Sequence, residues 1–251
     1  MPTNRPFVLS IAGFDPSGGA GVLADVKTFE QHKVYGFAIN TANTIQTENE
    51  FITLQWTELD FVLLSIETLF KRHEIKAVKI GIIPSLDYLK SIVLLIKRLS
   101  PQTSIVWDTV LKSTTEFDFL KLQNQTILYE ILNQINLITP NYNEISKLIP
   151  SGTSIENGIE ILTKYCPILL KGGHNLSEIG VDFLYTTDRF YRLSPKNSAI
   201  YQKHGSGCVL SSAITANIAL EKNLLVACKN GKEYTENFLL STPNQLGYHY
   251  A

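Results

Sequence analysis

The 251-residue chain lacks the features that mark several classes of protein. It has three cysteines, Cys166, Cys208 and Cys228, an odd number at wide spacing. That argues against a disulfide framework, and no Cys-x-x-Cys pair suggests zinc. Excess charge is also missing: 22 basic and 23 acidic residues leave a net charge of −1. Such a balance gives no electrostatic footprint for nucleic acid or an anionic membrane, so any anion recognition has to be local. The apolar stretches are broken by charge well short of a bilayer span. Met1 to Pro6 lack the apolar core of a signal peptide. A cytoplasmic, reducing location is therefore expected. No linker, repeat or low-complexity tract interrupts the chain, so a single domain over 1–251 is expected.

What is present is alternation. Hydrophobic residues make up 44% of the chain, enough for a sizeable core. Short apolar runs read as buried strands: Phe7–Ala12, Tyr35–Ala42, Ala77–Ile80, Ile105–Trp107, Leu137–Thr139 and Pro167–Leu170. Between them lie segments of helical period: Ala20–Gln31, Leu59–Arg72, Leu86–Leu99, Phe119–Asn133, Tyr142–Leu148 and Ile155–Lys164. Val181–Tyr185 and Phe190–Leu193 read as a hairpin, and Ser206–Leu220 and Val226–Leu240 as closing helices. This order predicts an α/β fold with a mainly parallel central sheet, helices on both faces and an antiparallel edge hairpin. Ligands then bind beyond the carboxyl ends of the strands.

Four loops on that sheet edge carry candidate chemistry. His204-Gly205-Ser206-Gly207-Cys208 opens a helix. Two glycines there leave backbone N–H groups bare, and the helix dipole adds positive charge, which together make an anion site for a transferring phosphoryl group. Cys208 lies in the first turn, where the dipole lowers a thiol pKa, so it is a candidate proton acceptor. The plainer alternative is a glycine-rich cap beside an inert cysteine. The second loop, Gly13–Gly21, has four glycines in nine residues after a strand, but neither the Gly-x-Gly-x-x-Gly nor the Walker spacing. It is placed to fold over a substrate. Asp25 follows, either as a substrate acceptor or as a solvated helix residue. In the third, Asn141 and Glu144 share one face of a helix start. They suit a water-bound magnesium ion beside a triphosphate, or a capping box, or both. In the fourth, Lys171-Gly172-Gly173-His174, Lys171 can neutralise phosphate and Gly172 permits close nucleotide approach; a surface turn is the alternative.

Taken together these residues resemble the hydroxymethylpyrimidine/phosphomethylpyrimidine kinases of thiamine biosynthesis, within the ribokinase-like superfamily. The resemblance covers nearly the whole chain. It runs from Ile11–Gly21 with Ala24–Thr28, through Val78–Gly81, Asp108, Thr139–Asn141 with Glu144, and Lys171–His174, to His204–Cys208. It implies a three-layer α/β fold and two successive ATP-dependent phosphorylations. The first falls on the hydroxymethyl group of 4-amino-5-hydroxymethyl-2-methylpyrimidine and the second on the resulting monophosphate. Carried over by position, Gly13, Asp25, Gln46 and Ile82 bind the pyrimidine. Asp108, Asn141, Glu144, Lys171, Gly172 and His204 serve the nucleotide, with Glu144 holding Mg2+ through water. Gly205, Ser206 and Gly207 form the anion hole and Cys208 is the base, where many ribokinase relatives place Asp. The family usually dimerises, so a homodimer is expected.

The chain departs from the family pattern at three places. Gln46-Thr47-Glu48 stands where the family often has Gln-Asn-Thr. Ile82 stands where it often has Met. Asp108–Thr115 lacks the usual Asp-Pro-Val and downstream Ser-Gly, which bears on the second phosphorylation. A pyridoxal, pyridoxine or pyridoxamine kinase is the alternative enzyme, and a catalytically inactive ligand-binding regulator the alternative of another class.

Overall fold

The computed structural model describes residues 5–250 apart from 112–118, 121–123, 175–177 and 198–200. Among the described residues nine strands form one sheet in the order β3-β2-β1-β4-β5-β6-β7-β8-β9. The middle is built from the apolar runs β1 (Phe7–Phe14), β4 (Ile75–Ile80), β5 (Ser104–Trp107), β6 (Leu137–Ile138) and β7 (Ile168–Leu170). With β2 (Tyr35–Gln46) they pair in parallel. Almost every residue of these central strands is buried, because helices cover both faces.

Both edges turn antiparallel. The expected hairpin is β8 (Asp182–Tyr185) with β9 (Phe190–Leu193), next to β7. The other edge differs from the sequence expectation. β2 continues past Ala42 to Gln46 and returns through β3 (Phe51–Trp56). No residue of β3 is fully buried, so it carries no strong apolar alternation to reveal it.

The helices are α1 (Gly21–Gln31), α2 (Leu59–Phe70), α3 (Leu86–Leu99), α4 (Gln125–Leu132), α5 (Tyr142–Leu148), α6 (Ile155–Leu162), α7 (Ser206–Ala219) and α8 (Leu224–Leu240). α4 starts later than the expected Phe119. Asn124 caps it, its side chain accepting from the N–H groups of Thr126 and Ile127, while Phe119 and Leu120 donate backward to the Leu111 carbonyl. The remainder of the expected extension, 121–123, lies outside the described residues, as do Lys112–Thr115 of the atypical loop.

Strand side chains alternate between two cores. Leu9, Ile11, Val78, Ile80 and Trp107 pack against α2 to α6. Val8, Ala77, Val106 and Leu137 face the opposite layer of α1, α7 and α8. The result is three layers. Each large side chain fully removed from water contributes about 1.5–3 kcal/mol, and Trp107, Phe29, Ile66 and Leu89 are among those so placed.

The same period of two puts Ser10 and Lys79, register partners on β1 and β4, on the α1/α7 side of the sheet. There Asp25 of α1 and Ser212 of α7 meet them. This polar knot sits inside an otherwise apolar seam. Just beyond it, the carboxyl ends of β1, β4, β5, β6 and β7 bring Gly13, Gly81, Asp108, Asn141 and Lys171 to one side of the sheet. A parallel bridge joins Asn141 to Lys171.

Candidate active site

A cavity of about 950 Å³ opens over that side of the sheet. It is large for a single small ligand and suits a nucleotide together with a small acceptor.

Gly205 lines the cavity. With φ at 74° it holds a left-handed conformation and serves as N-cap of α7. A Cβ there would fall 2.0 Å from the carbonyl oxygen of Gly19, so glycine alone permits this approach. Among the described residues no side chain caps the helix. The first-turn N–H groups of Ser206, Gly207 and Cys208 therefore have no intrahelical acceptor. All three residues line the cavity. The start of α1 converges on the same point, where the Gly21 N–H donates toward the Cys208 sulfur. Two helix N-termini thus aim at one place, as an anion requires.

One end of the cavity is lined by Gly13, Gln46 and Ile82, all expected there, together with Thr44 and Val110. Gln46 Nε2 donates to Thr44 Oγ1 at 2.9 Å, and Thr44 donates to the Phe14 carbonyl. This chain fixes the amide plane and leaves the Gln46 oxygen for a ligand. A Cβ on Gly13 would meet Ile82 Cδ1 at 2.5 Å, so the glycine makes room for that wall.

At the other end Lys171 stands between two carboxylates. Its Nζ is 3.0 Å from Asp108 Oδ1 and 3.6 Å from Glu144 Oε2. Burial alone raises the Asp108 carboxyl pKa, but Lys171 and Lys79, with help from Thr139, outweigh it and hold the carboxyl below its usual range. For Glu144, burial and the neighbouring Asp108 prevail over Lys171 and push it up. The capping box is present: the Asn141 side chain accepts from the Glu144 N–H, and Glu144 Oε2 accepts from the Asn141 N–H at 2.7 Å. Capping occupies Oε2, so Oε1 is the oxygen left for a ligand. Among the described residues no group of three His, Cys, Asp or Glu side chains forms a metal cage. One spare carboxylate oxygen beside a phosphate site fits a cation that keeps its waters, as magnesium does.

The structure corrects three expectations. Asp25 does not line the cavity. Its carboxylate is fully buried and is engaged by Lys79, Ser10 and Ser212. A lone helix Asp is usually solvated, but this one faces the sheet. Gly172 does not line it either: its N–H donates to Asp182 at 2.8 Å, and a Cβ would collide with the Val181 carbonyl at 1.8 Å. Gly173 takes its place at the cavity. Thirdly, the Cys208 thiol is not depressed. Burial pushes it up to about 11, and Asp25 and Asp108 oppose the help from Lys79.

Two site residues lie inside the blocks that carry the resemblance without having a role of their own in the sequence reading. Asp15 pairs with His204, Nε2 to Oδ2 at 2.8 Å. Burial would raise its carboxyl, but the bonds from His204 and Ser17 outweigh this and lower it. Among the described residues the buried His204 Nδ1 has no partner, so the tautomer that satisfies the pair keeps its proton on Nε2. Lys79, within the Val78–Gly81 block, is the second; it is a lysine inside a strand that is buried on both faces.

A nine-stranded, mostly parallel sheet, with two helix starts aimed at an anion site between a lysine–carboxylate cluster and a small apolar niche, defines a ribokinase-like α/β fold. The chain belongs to the phosphomethylpyrimidine kinase family, whose model matches residues 15–250. A hydroxymethylpyrimidine/phosphomethylpyrimidine kinase of Aquifex aeolicus is 34% identical over 234 residues, 90% of this chain and 91% of that protein. The crystal structure of phosphomethylpyrimidine kinase from Clostridium difficile is 30% identical with a TM-score of 0.76, covering 92% of this chain and 98% of that one. Pyridoxal kinase from Staphylococcus aureus, in complex with AMP-PCP, is 25% identical with a TM-score of 0.83, covering 97% and 92%. No helix among the described residues is long and apolar enough to cross a membrane.

Proposed function

We propose that this chain is a single-domain, ATP-dependent kinase of thiamine biosynthesis. It phosphorylates the hydroxymethyl group of 4-amino-5-hydroxymethyl-2-methylpyrimidine and then the monophosphate. The observation that carries this reading is the order of parts in one cavity: the niche at Gln46, the bare helix start at Gly205–Cys208, and the Lys171 cluster. An acceptor, a transferring phosphoryl group and a nucleotide fit there in line.

In this reading Gln46 presents its oxygen to the 4-amino group, and Ile82 and Val110 enclose the ring. Lys171 binds the polyphosphate, drawing its ammonium from Asp108. The N–H groups of Ser206, Gly207 and Cys208 receive the equatorial oxygens, where charge accumulates as the bond to the leaving phosphate breaks. Cys208 Sγ takes the hydroxyl proton. With a pKa of about 11 the thiol is mostly protonated at neutral pH, so turnover through it is slow and rises with pH. Magnesium, carried in by ATP and met by Glu144, supplies charge neutralisation of the phosphates when bound.

The pyridoxal kinase likeness supports a second reading, since pyridoxal also bears a hydroxymethyl group on a six-membered nitrogen ring. Coupled ADP release with both alcohols separates them. A higher kcat/KM for the pyrimidine is expected; a higher value for pyridoxal reverses the assignment, and tight binding without turnover makes the chain a regulator. Release of diphosphate ester from the monophosphate tests the second step.

We place the enzyme in the cytosol as a homodimer. Ile45, Ile52, Phe61 and Leu64 are each more than half exposed, which supports an apolar contact surface. Free cysteines support a reducing compartment. Sedimentation equilibrium returning the monomer mass overturns the dimer, and activity confined to a membrane fraction overturns the location.

A further inference from the structure

Lys79 lies one residue before the carboxyl end of β4, with no exposed side-chain surface. A buried ammonium is tolerated only with its charge matched. The match is Asp25, equally buried, with Nζ at 2.9 Å from both carboxylate oxygens. The two partners are unequally satisfied. Asp25 also accepts from Ser10 on Oδ2 and from Ser212 on Oδ1, so both its oxygens are doubly engaged. Lys79 has three N–H donors, and Asp25 takes two. Among the described residues no third acceptor is bonded to it.

The ammonium abuts the cavity. A Cβ on Gly81 would lie 3.3 Å from Nζ, and both Lys79 and Gly81 line the cavity wall. The charged groups around Cys208 are Lys79 of β4, Asp25 of α1, Asp108 after β5 and Lys171 after β7. Of these Lys79 acts on the thiol most strongly, and the two aspartates oppose it. A pair serving only to hold α1 on the sheet has no need of a spare donor at the cavity floor.

We propose that Lys79 is a positioning residue for phosphoryl transfer: locked by Asp25, its ammonium supplies the fixed positive charge that matches the negative charge arising at Cys208 and the substrate hydroxyl. Lys79 itself neither gains nor loses a proton. The hydroxyl proton passes to Cys208 Sγ, the new O–P bond forms, and the electrons of the breaking bond leave on the nucleoside diphosphate. The inference rests on the kinase reading for its kinetic consequence only; its effect on the thiol belongs to the free protein.

The experiment is the pH dependence of Cys208 alkylation by iodoacetamide, followed by peptide mass mapping, in wild type, Asp25→Asn and the Asp25→Asn/Lys79→Met double variant. The double variant leaves no unpaired buried charge. In Asp25→Asn, Asp108 still faces Lys79, and Ser10 and Ser212 retain a partner. The two variants are expected to move in opposite directions: alkylation begins at lower pH in Asp25→Asn and at higher pH in the double variant. A midpoint higher by about one on the pH scale slows alkylation at a fixed, neutral pH by about tenfold. The basic limb of kcat follows the same directions. An unchanged thiol titration, or movement of both variants in one direction, overturns the proposal, and Asp25→Asn/Lys79→Gln, which also removes both charges but keeps a polar side chain on the strand, takes the place of the first double variant if that one does not fold. If the thiol responds as expected but no variant turns over either alcohol, the charge relation stands and the kinase reading falls.

Discussion

Asp15 Oδ2 and His204 Nε2 lie 2.8 Å apart, which ties the glycine-rich loop after the first strand to the residue just before the anion hole. Asp15 also accepts from the N–H groups of Ser17 and Ala20, so one carboxylate holds both the shape of its own loop and the approach to α7. Asp15→Ala and His204→Ala are each expected to lower kcat by about one to two powers of ten. The double variant should lose less than the sum, because residues in one hydrogen-bonded network couple by about 0.5–3 kcal/mol. A double-mutant cycle in kcat/KM checks this; additive losses separate the two residues.

Gly205→Ala places a methyl group 2.0 Å from the Gly19 carbonyl in a left-handed residue. The loop has to retreat and the N–H groups lose their aim. A kcat loss on the order of a hundredfold is expected, the size of effect that removing one donor to a developing oxyanion produces. A thermal melt of the same protein shows whether the fold is kept.

A thiol raised to about 11 makes a definite pH signature. If Cys208 accepts the proton, log kcat climbs by about one per pH unit through the neutral range, because only the thiolate acts. Cys208→Ser should flatten the profile as well as lower it. A flat profile in the wild type assigns Cys208 only its backbone N–H.

Lys171→Met removes the ammonium between Asp108 and Glu144. KM for ATP should rise by about tenfold or more, with KM for the alcohol little changed, since a lost hydrogen bond to a charged group costs about 1.5–3 kcal/mol. Equal changes in both constants separate Lys171 from the nucleotide.

Gln46→Leu keeps the bulk of the side chain and removes its polar end. A loss of about tenfold or more in kcat/KM is expected for the aminopyrimidine, the cost of leaving its amino group unpaired. Pyridoxal, which has no amino group at that position, should lose less. Equal losses would separate Gln46 from recognition of the amino group.

Most strands and helices were legible because burial on both faces leaves unbroken apolar runs, as at Phe7–Ala12 and Ile105–Trp107. β3 was not, because an edge strand with no buried residue leaves no such run. Within the cavity, Gly13, Asn141 and Lys171 stand in loops that the sequence singles out, whereas Gln46, at the end of β2, is suggested only by the resemblance. The pairing of Asp25 with Lys79 was not legible, since a helix position and a strand position are joined only by the packing of α1 on the sheet. Cys208 shows a further limit. The helix start was visible in the sequence, but the enclosure and the two aspartates that raise its thiol belong to other elements.

The contact of Gly205 with the Gly19 carbonyl also has a meaning in time. The loop that holds Gly19 leaves the ribosome well before Gly205 does. Until Gly205 emerges, the early loop has nothing to close against, and the phosphate cradle has no floor. The two glycine backbones therefore meet only once the chain between them has been made, so the anion site cannot form before the start of α7 exists.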